Sequence, residues 1–181
     1  ARLLERRGQD KGAAKLFRSL VDADPNHARA RHRLGVVLAR QGKLDEAETQ
    51  LSTASKLAPD DIEIRSDLGY VYYLQHDLEK ADAVLRSVLR EVPNHKAACN
   101  NLALVLGGQG KFEECLRMFR RTNSEAESHA NLAYALAQQG RLAEAEKAYL
   151  RALSLDDSLK EAAKAMLQVA RRRQEIGRAH V

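Results

Sequence analysis

The run Gly107-Gly108-Gln109-Gly110-Lys111 has the makings of a phosphate cradle, since glycines let backbone N–H groups close on an anion and a lysine adds charge. Phe112, though, stands where such a loop needs Ser or Thr to hold magnesium, and no strand pattern leads into it. Equivalent pairs at Gly42-Lys43 and Gly140-Arg141 make the run an inter-helix turn that recurs along the chain. Of His27, His32, His76, His95, His129 and His180, none stands at a metalloprotease spacing from another His or a carboxylate. Cys99 and Cys115 are too few for a disulfide framework or a four-ligand zinc site, and both fall in columns expected to face the interior, where a free thiol behaves as a small hydrophobe. No Ser/His/Asp or Cys/His grouping emerges. The expectation is a chain that is not an enzyme and holds neither metal nor cofactor.

Charge raises nucleic acid as the next class. The net charge is +5, but it is unevenly spread: residues 1–40 carry ten Lys/Arg against four Asp/Glu, 41–100 seven against eleven, and 161–181 five against two. Phosphate recognition wants a contiguous basic stripe, and single strands want aromatic platforms as well. Here two basic ends flank a mildly acidic middle, and aromatics make up only 4% of the residues. No nucleic-acid partner is expected; association with acidic protein partners is the more economical reading.

What positions these residues is helix. Leu and Ala dominate, Pro is limited to three residues, and β-branched and aromatic residues are scarce. No apolar run approaches the roughly 18 residues that cross a bilayer, so direct membrane insertion is not expected. The three prolines, Pro25, Pro59 and Pro93, are spaced by 34 residues. Other columns keep that step: Leu34, Leu68 and Leu102; Gly35, Gly69 and Ala103; Leu38, Tyr72 and Leu106; Ala13, Ala47 and Ala81.

Each column has a physical reason. Leu34 with Leu38, or Leu68 with Tyr72, lie four apart and form the apolar stripe of a first helix. Gly35 and Gly69 sit beside that stripe, where a missing side chain admits a second helix, with Ala47 and Ala81 expected as small partners opposite. Gly8, Gly42, Gly110 and Gly140 fall where the first helix should stop, and His76 takes that place once. Each Pro closes the second helix through its effect on the preceding residue. Asn26, Asp60 and Asn94 are then expected to cap the next first helix.

This pattern resembles the tetratricopeptide repeat (TPR) superfamily over nearly the whole chain. The resemblance implies an all-α fold, a right-handed α-solenoid of helix-turn-helix repeats. Residues 1–27 would be a partial first repeat, followed by repeats 28–61 and 62–95, a shortened repeat 96–125, a repeat 126–159, a capping helix 160–176 and a tail 177–181. In the capping helix Ala163, Met166, Leu167 and Ala170 are expected to cover the last repeat. From Gly110 to Gly140 the step is 30 rather than 34, so about one helical turn is missing between Phe119 and His129. Ser124 with Glu127 reads as a capping box, which puts a tight join at Thr122–Ser124. The shortened unit, with the run Phe119-Arg120-Arg121-Thr122-Asn123-Ser124-Glu125-Ala126, also resembles bacterial TPR proteins of the tight-adherence pilus-assembly type. Ala1 rather than Met opens the chain partway through a repeat, and a truncated N-terminus is expected.

In TPR arrays the first helices line a concave surface, and the resemblance implies which side chains point into it. In the first units these are Arg2, Arg6, Arg29, His32, Arg33, Val36 and Arg40, a cationic approach. In the middle and last units they are Asp67, Tyr70, Tyr73, Asn100, Asn101, Leu104, Asn131, Tyr134 and Gln138. Asparagine amides both donate to and accept from a peptide backbone, and tyrosines offer flat contact area with little rotamer entropy to lose. The carboxylate clamp of chaperone-binding TPR proteins is not matched, because Glu161 and Ala165 stand in place of its last cationic pair and Leu104 replaces an Asn. The expected function is a protein-interaction scaffold in bacterial envelope or pilus assembly. Its concave groove would bind a peptide or partner segment that carries acidic residues and is not a chaperone C-terminus. A self-associating scaffold and the regulatory arm of a larger enzyme are the alternatives, and compartment, cytoplasmic or periplasmic, stays open.

Overall fold

The computed structural model describes residues 10–179, with side chains through Ile176. Arg2, Arg6, Gly8 and His180 lie outside the described residues. Ten helices and no strand occur among the described residues: α1 Asp10–Ala23, α2 Ala28–Arg40, α3 Leu44–Leu57, α4 Ile62–Leu74, α5 Leu78–Glu91, α6 Lys96–Gly108, α7 Phe112–Phe119, α8 Glu125–Gln138, α9 Leu142–Leu155 and α10 Lys160–Ala179. They fall into two compact units, residues 1–91 with α1–α5 and residues 92–181 with α6–α10.

The first unit follows from its columns. Leu34 and Leu38 of α2, Leu68 and Val71 of α4, Ala13 and Phe17 of α1 and Ala47 and Leu51 of α3 form one buried core. Burying each such leucine contributes about 1.5–3 kcal/mol, and this outweighs the weak helix-forming tendency of short segments alone. A Cβ on Gly35 would lie 2.6 Å from Leu51 Cγ and 3.2 Å from the Ala47 carbonyl, and one on Gly69 would lie 2.7 Å from Leu85 Cγ. The expected small-to-small contact is thus corrected: each glycine receives a leucine branch of the second helix, while Ala47 contributes its backbone.

Turns between paired helices share one geometry. Gly42, Gly110 and Gly140 have φ of 75°, 77° and 73°, and His76 adopts 62°. After each, the next backbone N–H returns to a carbonyl of the first helix: Lys43 to Leu38 at 3.0 Å, Asp77 to Tyr72 at 2.9 Å, Lys111 to Leu106 at 2.9 Å and Arg141 to Leu136 at 3.0 Å. These six-to-one bonds satisfy carbonyls that would otherwise be orphaned at the helix end.

The capping residues are one position later than expected. His27, Asp61 and His95 are the N-caps, not Asn26, Asp60 and Asn94. The N–H groups of His27, Asp61 and His95 each donate at 3.1 Å to the carbonyls of Asp24, Ala58 and Val92. Each Pro and its successor are therefore the two central residues of a β-turn, and the helix begins only after it closes. Asp61 accepts from the N–H groups of Glu63 and Ile64, and His95 Nδ1 accepts from that of Ala98, whereas His27 makes no side-chain cap bond.

The second unit carries the shortening. Helix α7 has 8 residues where α3 and α5 each have 14, and the join that replaces the lost turn is held by side chains. Asn123 donates through its backbone N–H and its amide to the Phe119 carbonyl, at 3.1 and 2.9 Å, and through the amide to Asn100 Oδ1 at 2.6 Å. Arg121 reaches back to the Pro93 carbonyl and to Asn94 Oδ1. Ser124 and Glu127 form the expected capping box at the head of α8. Gly107, read from sequence only as part of a turn, lies inside α6, where an added Cβ would meet Ala135 Cβ at 2.8 Å.

Helix α10 closes this unit with a face different from the expected one. Ala162 and Val169 are buried and Ala165 and Met166 pack on the core of α8 and α9, while Leu167 is 54% exposed. The buried stripe is 162, 165, 166 and 169, the i, i+3, i+4, i+7 pattern of one helix face, displaced by a residue from the expected set. Arg173 pins the far end of α10 to Glu146 of α9 at 2.5 Å.

Candidate functional site

In the first unit, the aligned first helices α2 and α4 present two hollows. One, of about 590 Å³, lies at their N-terminal ends between Arg29, His32 and Arg33 of α2 and Asp61, Glu63 and Ile64 at the head of α4. The other, of about 250 Å³, lies further along both helices and is walled mainly by Val36, Leu51, Tyr70, Val71 and Leu74, with Arg40 and Asp67 at its edge. His32 Nε2 and Asp67 Oδ2 meet at 2.7 Å and tie α2 to α4 between the two hollows. His32, which helps line the first hollow, is buried with its ring nitrogen against Asp67.

The remaining first-unit residues differ in availability. Arg29 is exposed and Arg33 half-buried. Arg40 is exposed and ion-paired with Asp10 at 3.4 Å, which draws part of its charge toward α1. Tyr70 and Tyr73 stack with ring centroids 6.1 Å apart, and Tyr70 keeps 37% of its surface exposed. Outside the hollows Arg65 grips Glu91 through two bonds of 2.7 and 2.6 Å, and this hydrogen bonding holds the Glu91 carboxyl below its usual range.

The second unit presents a different surface. A hollow of about 550 Å³ lies between α8 and α10, floored by Ala130, Ala162 and Ala165 and walled by Asn131, Tyr134 and the buried Tyr149. Burial, with Tyr134 nearby, raises the Tyr149 hydroxyl pKa. Asn100 and Asn101 stand half-buried on α6 and are not part of this lining. Asn100 already accepts from Asn123, so the shortened join engages an amide that sequence reasoning assigned to a ligand. The alanine floor was missed, because alanine in a helix looks like any other packing residue.

The glycine-rich run has no cradle geometry. The N–H groups of Gln109, Gly110 and Lys111 donate to Val105, Gly107 and Leu106 at 2.9, 3.0 and 2.9 Å, so they close a helix. Cys99 and Cys115 are buried and free, and burial pushes the Cys115 thiol up to about 12, far from a nucleophile's range. Among the described residues no cluster of three or more His, Cys, Asp or Glu could hold a metal ion, and no helix is long and apolar enough to cross a membrane.

Helical hairpins with an exposed, multi-hollow first-helix face define a class of repeat scaffolds. Four family models, each described as Tetratricopeptide repeat, match residues 6–68, 41–96, 97–121 and 126–159, and the chain belongs to that family. A TPR repeat-containing protein of Pseudomonas aeruginosa is 33% identical over 99 residues, which are 54% of this chain and 17% of that protein. The chain thus matches only a small part of that relative's length. Similar solved structures are the TPR protein TTC0263 of Thermus thermophilus (TM-score 0.74, 19% identity, 93% of this chain and 94% of that one) and MamA of Desulfovibrio magneticus (0.69, 20%, 87% and 92%). A third is YrrB, described as a TPR protein with an unusual peptide-binding site (0.63, 18%, 91% and 87%). At these identities the likeness establishes the α-solenoid fold alone. Fold and family together make the chain a protein-interaction scaffold.

Proposed function

We propose that the chain binds an extended segment of a partner protein on the exposed faces of its first helices, α2 and α4 in one unit and α8 and α10 in the other. The observation that carries this is the placement of open hollows on those faces, lined by Arg29, Arg33, Tyr70, Asn131 and Tyr134. The partner segment carries acidic residues, which Arg29, Arg33 and Arg40 attract and orient. The peptide-binding site named for YrrB supports the same use of a similar fold. A single segment held this way binds with roughly micromolar affinity, about −8 kcal/mol. The proposed setting is envelope or pilus assembly, which rests on the Phe119–Ala126 run alone.

Calorimetry tests the reading with a partner captured by crosslinking on the intact chain. Reversing Arg33 and Arg40 to Glu should weaken binding and flatten its salt dependence, whereas Arg151→Glu, on an exposed part of α9, should change neither. Equal affinities for all three proteins would refute the assignment of these faces as the binding surface.

A further inference from the structure

The two hollows of the first unit differ in chemistry, and they lie at a fixed separation on two helices at once. The charged one is centred near residue 31 of α2 and residue 63 of α4, the apolar one near residues 38 and 70. Seven residues of helix are about 10 Å at 1.5 Å per residue, on either helix. An extended chain in the polyproline II conformation advances about 3.1 Å per residue and repeats its side-chain direction every three residues, so about three residues of a bound peptide span the same distance with both side chains facing the helices.

The contents of the hollows say what each would receive. Helix α2 has no acidic residue in its first turn and no side-chain cap from His27, so its N-terminal end adds positive potential beside Arg29 and Arg33. On the other side stand Asp61, turned onto the N–H groups of its own helix at 3.0 and 3.2 Å, and Glu63, so an incoming acid is drawn to the α2 side of the hollow and away from α4. The second hollow is enclosed mainly by Val36, Leu51, Tyr70, Val71 and Leu74, a lining that rewards an aliphatic or aromatic side chain. The His32–Asp67 pair stands between them and turns the Asp67 carboxylate onto the imidazole of α2.

We propose that the first unit reads a two-residue signature in an extended partner segment: an acidic side chain seated against Arg29 and Arg33, and an apolar side chain three positions away seated in the Val36–Tyr70–Leu74 hollow. This rests on the peptide-binding reading above and adds to it a chemistry and a register. A ligand with its acid and apolar residue adjacent cannot fill both hollows while extended. Nor can one with five residues between them.

Phage display of random twelve-residue peptides on the intact chain, with fluorescence polarisation of the selected peptides, tests the register. The expected result is enrichment of Asp or Glu three positions from Leu, Ile, Met or Phe. Resynthesis with the two residues adjacent, or with five residues between them, should weaken binding about tenfold. Arg29→Glu should lose about tenfold for peptides with the acid and nothing for peptides with Ser in its place. Val36→Phe, which fills the apolar hollow while keeping the helix, should lose about tenfold for apolar-bearing peptides only, with circular dichroism checking the fold. Selected peptides that bind the inner faces with no preferred spacing would overturn the register and leave the peptide-binding reading standing. Selected peptides insensitive to both variants would overturn the first-unit signature, and selection of no peptide would overturn both readings.

Discussion

The two units meet the same packing problem with different chemistry. In the first, paired helices are full length, Gly35 and Gly69 admit Leu51 and Leu85, and helices are tied by side-chain pairs such as Arg18–Glu46, Arg65–Glu91 and His32–Asp67. In the second, the glycine column is filled by Ala103 and Ala133, both fully buried, and one second helix is cut to 8 residues. The close approach moves instead to Gly107 against Ala135. A turn of helix supplies both buried area and backbone hydrogen bonds, so its removal leaves carbonyls that need new donors. Asn123 supplies one to the Phe119 carbonyl, and Arg121 ties the join back to the turn at Pro93. Repeat identity is thus a matter of filled volume and satisfied backbone, and different residues achieve it.

That contrast is broken most severely at Phe119. It is buried to 2% exposure at the end of the short α7, and its carbonyl anchors the join. Phe119→Ala should cost about 3–5 kcal/mol, and Leu85→Ala, at the same column in the first unit, about 2–5 kcal/mol. Thermal and urea unfolding would measure both. If the short helix were held mainly by its join, and not by this ring, Phe119→Ala would cost clearly less than Leu85→Ala.

A middle-sized effect separates the glycine columns by sign of volume change. Gly69→Val drives a branched side chain into Leu85, whose Cγ would already lie 2.7 Å from a Cβ, and should cost about 3 kcal/mol. Ala103→Gly removes a buried methyl and loosens the helix, for about 1 kcal/mol or somewhat more. At about 2–4 °C per kcal/mol for a chain of this size, melting temperature resolves the two. A tolerated Gly69→Val would mean that α4 and α5 can separate without loss, contrary to the close approach described.

The legibility of these features followed their physics. Pro25, Pro59 and Pro93 constrain their own neighbours, so the helix ends could be read locally, and so could the positive φ of Gly42, Gly110 and Gly140. The missing turn before Ser124 was visible because a period makes a deletion countable. The caps were displaced because Asn26, Asp60 and Asn94 have good capping side chains, yet the proline turn uses up two positions before a helix can start. Leu167 was misassigned because α10 has apolar residues on two overlapping faces, and only packing against Tyr149 and Leu142 selects the one through Ala162 and Val169. At the candidate site, residue types were legible and pairings were not. His32 with Asp67, Arg40 with Asp10 and Asn100 with Asn123 are joined by partners 23 to 35 positions away in sequence, which no local rule connects.

The smallest effect sharpens the comparison through pH. Among the carboxyls held below their usual range are Glu91 in the first unit, by hydrogen bonds from Arg65, and Glu127 in the second, by the Ser124 backbone N–H and then its hydroxyl. A carboxyl with a lowered folded pKa contributes stability that is present above its unfolded value of about 4.5 and lost as pH falls through the folded value. Both units should therefore weaken below about pH 4.5, by different means. Glu127→Gln keeps an oxygen for the Ser124 N–H but no charge, so its deficit against the parent should be present at pH 7 and shrink as the parent carboxyl is protonated. Ser124→Ala, which removes the hydroxyl of the capping box, should cost about 1 kcal/mol at pH 7. Glu91→Gln reports the first unit in the same scan, and high salt should reduce its deficit more than that of Glu127→Gln, because an ion pair is screened and a hydrogen bond to backbone is less so. A Glu127→Gln deficit that stays constant between pH 7 and pH 3 would show that the carboxylate charge is not what strengthens the cap, leaving geometry alone to hold the shortened unit together.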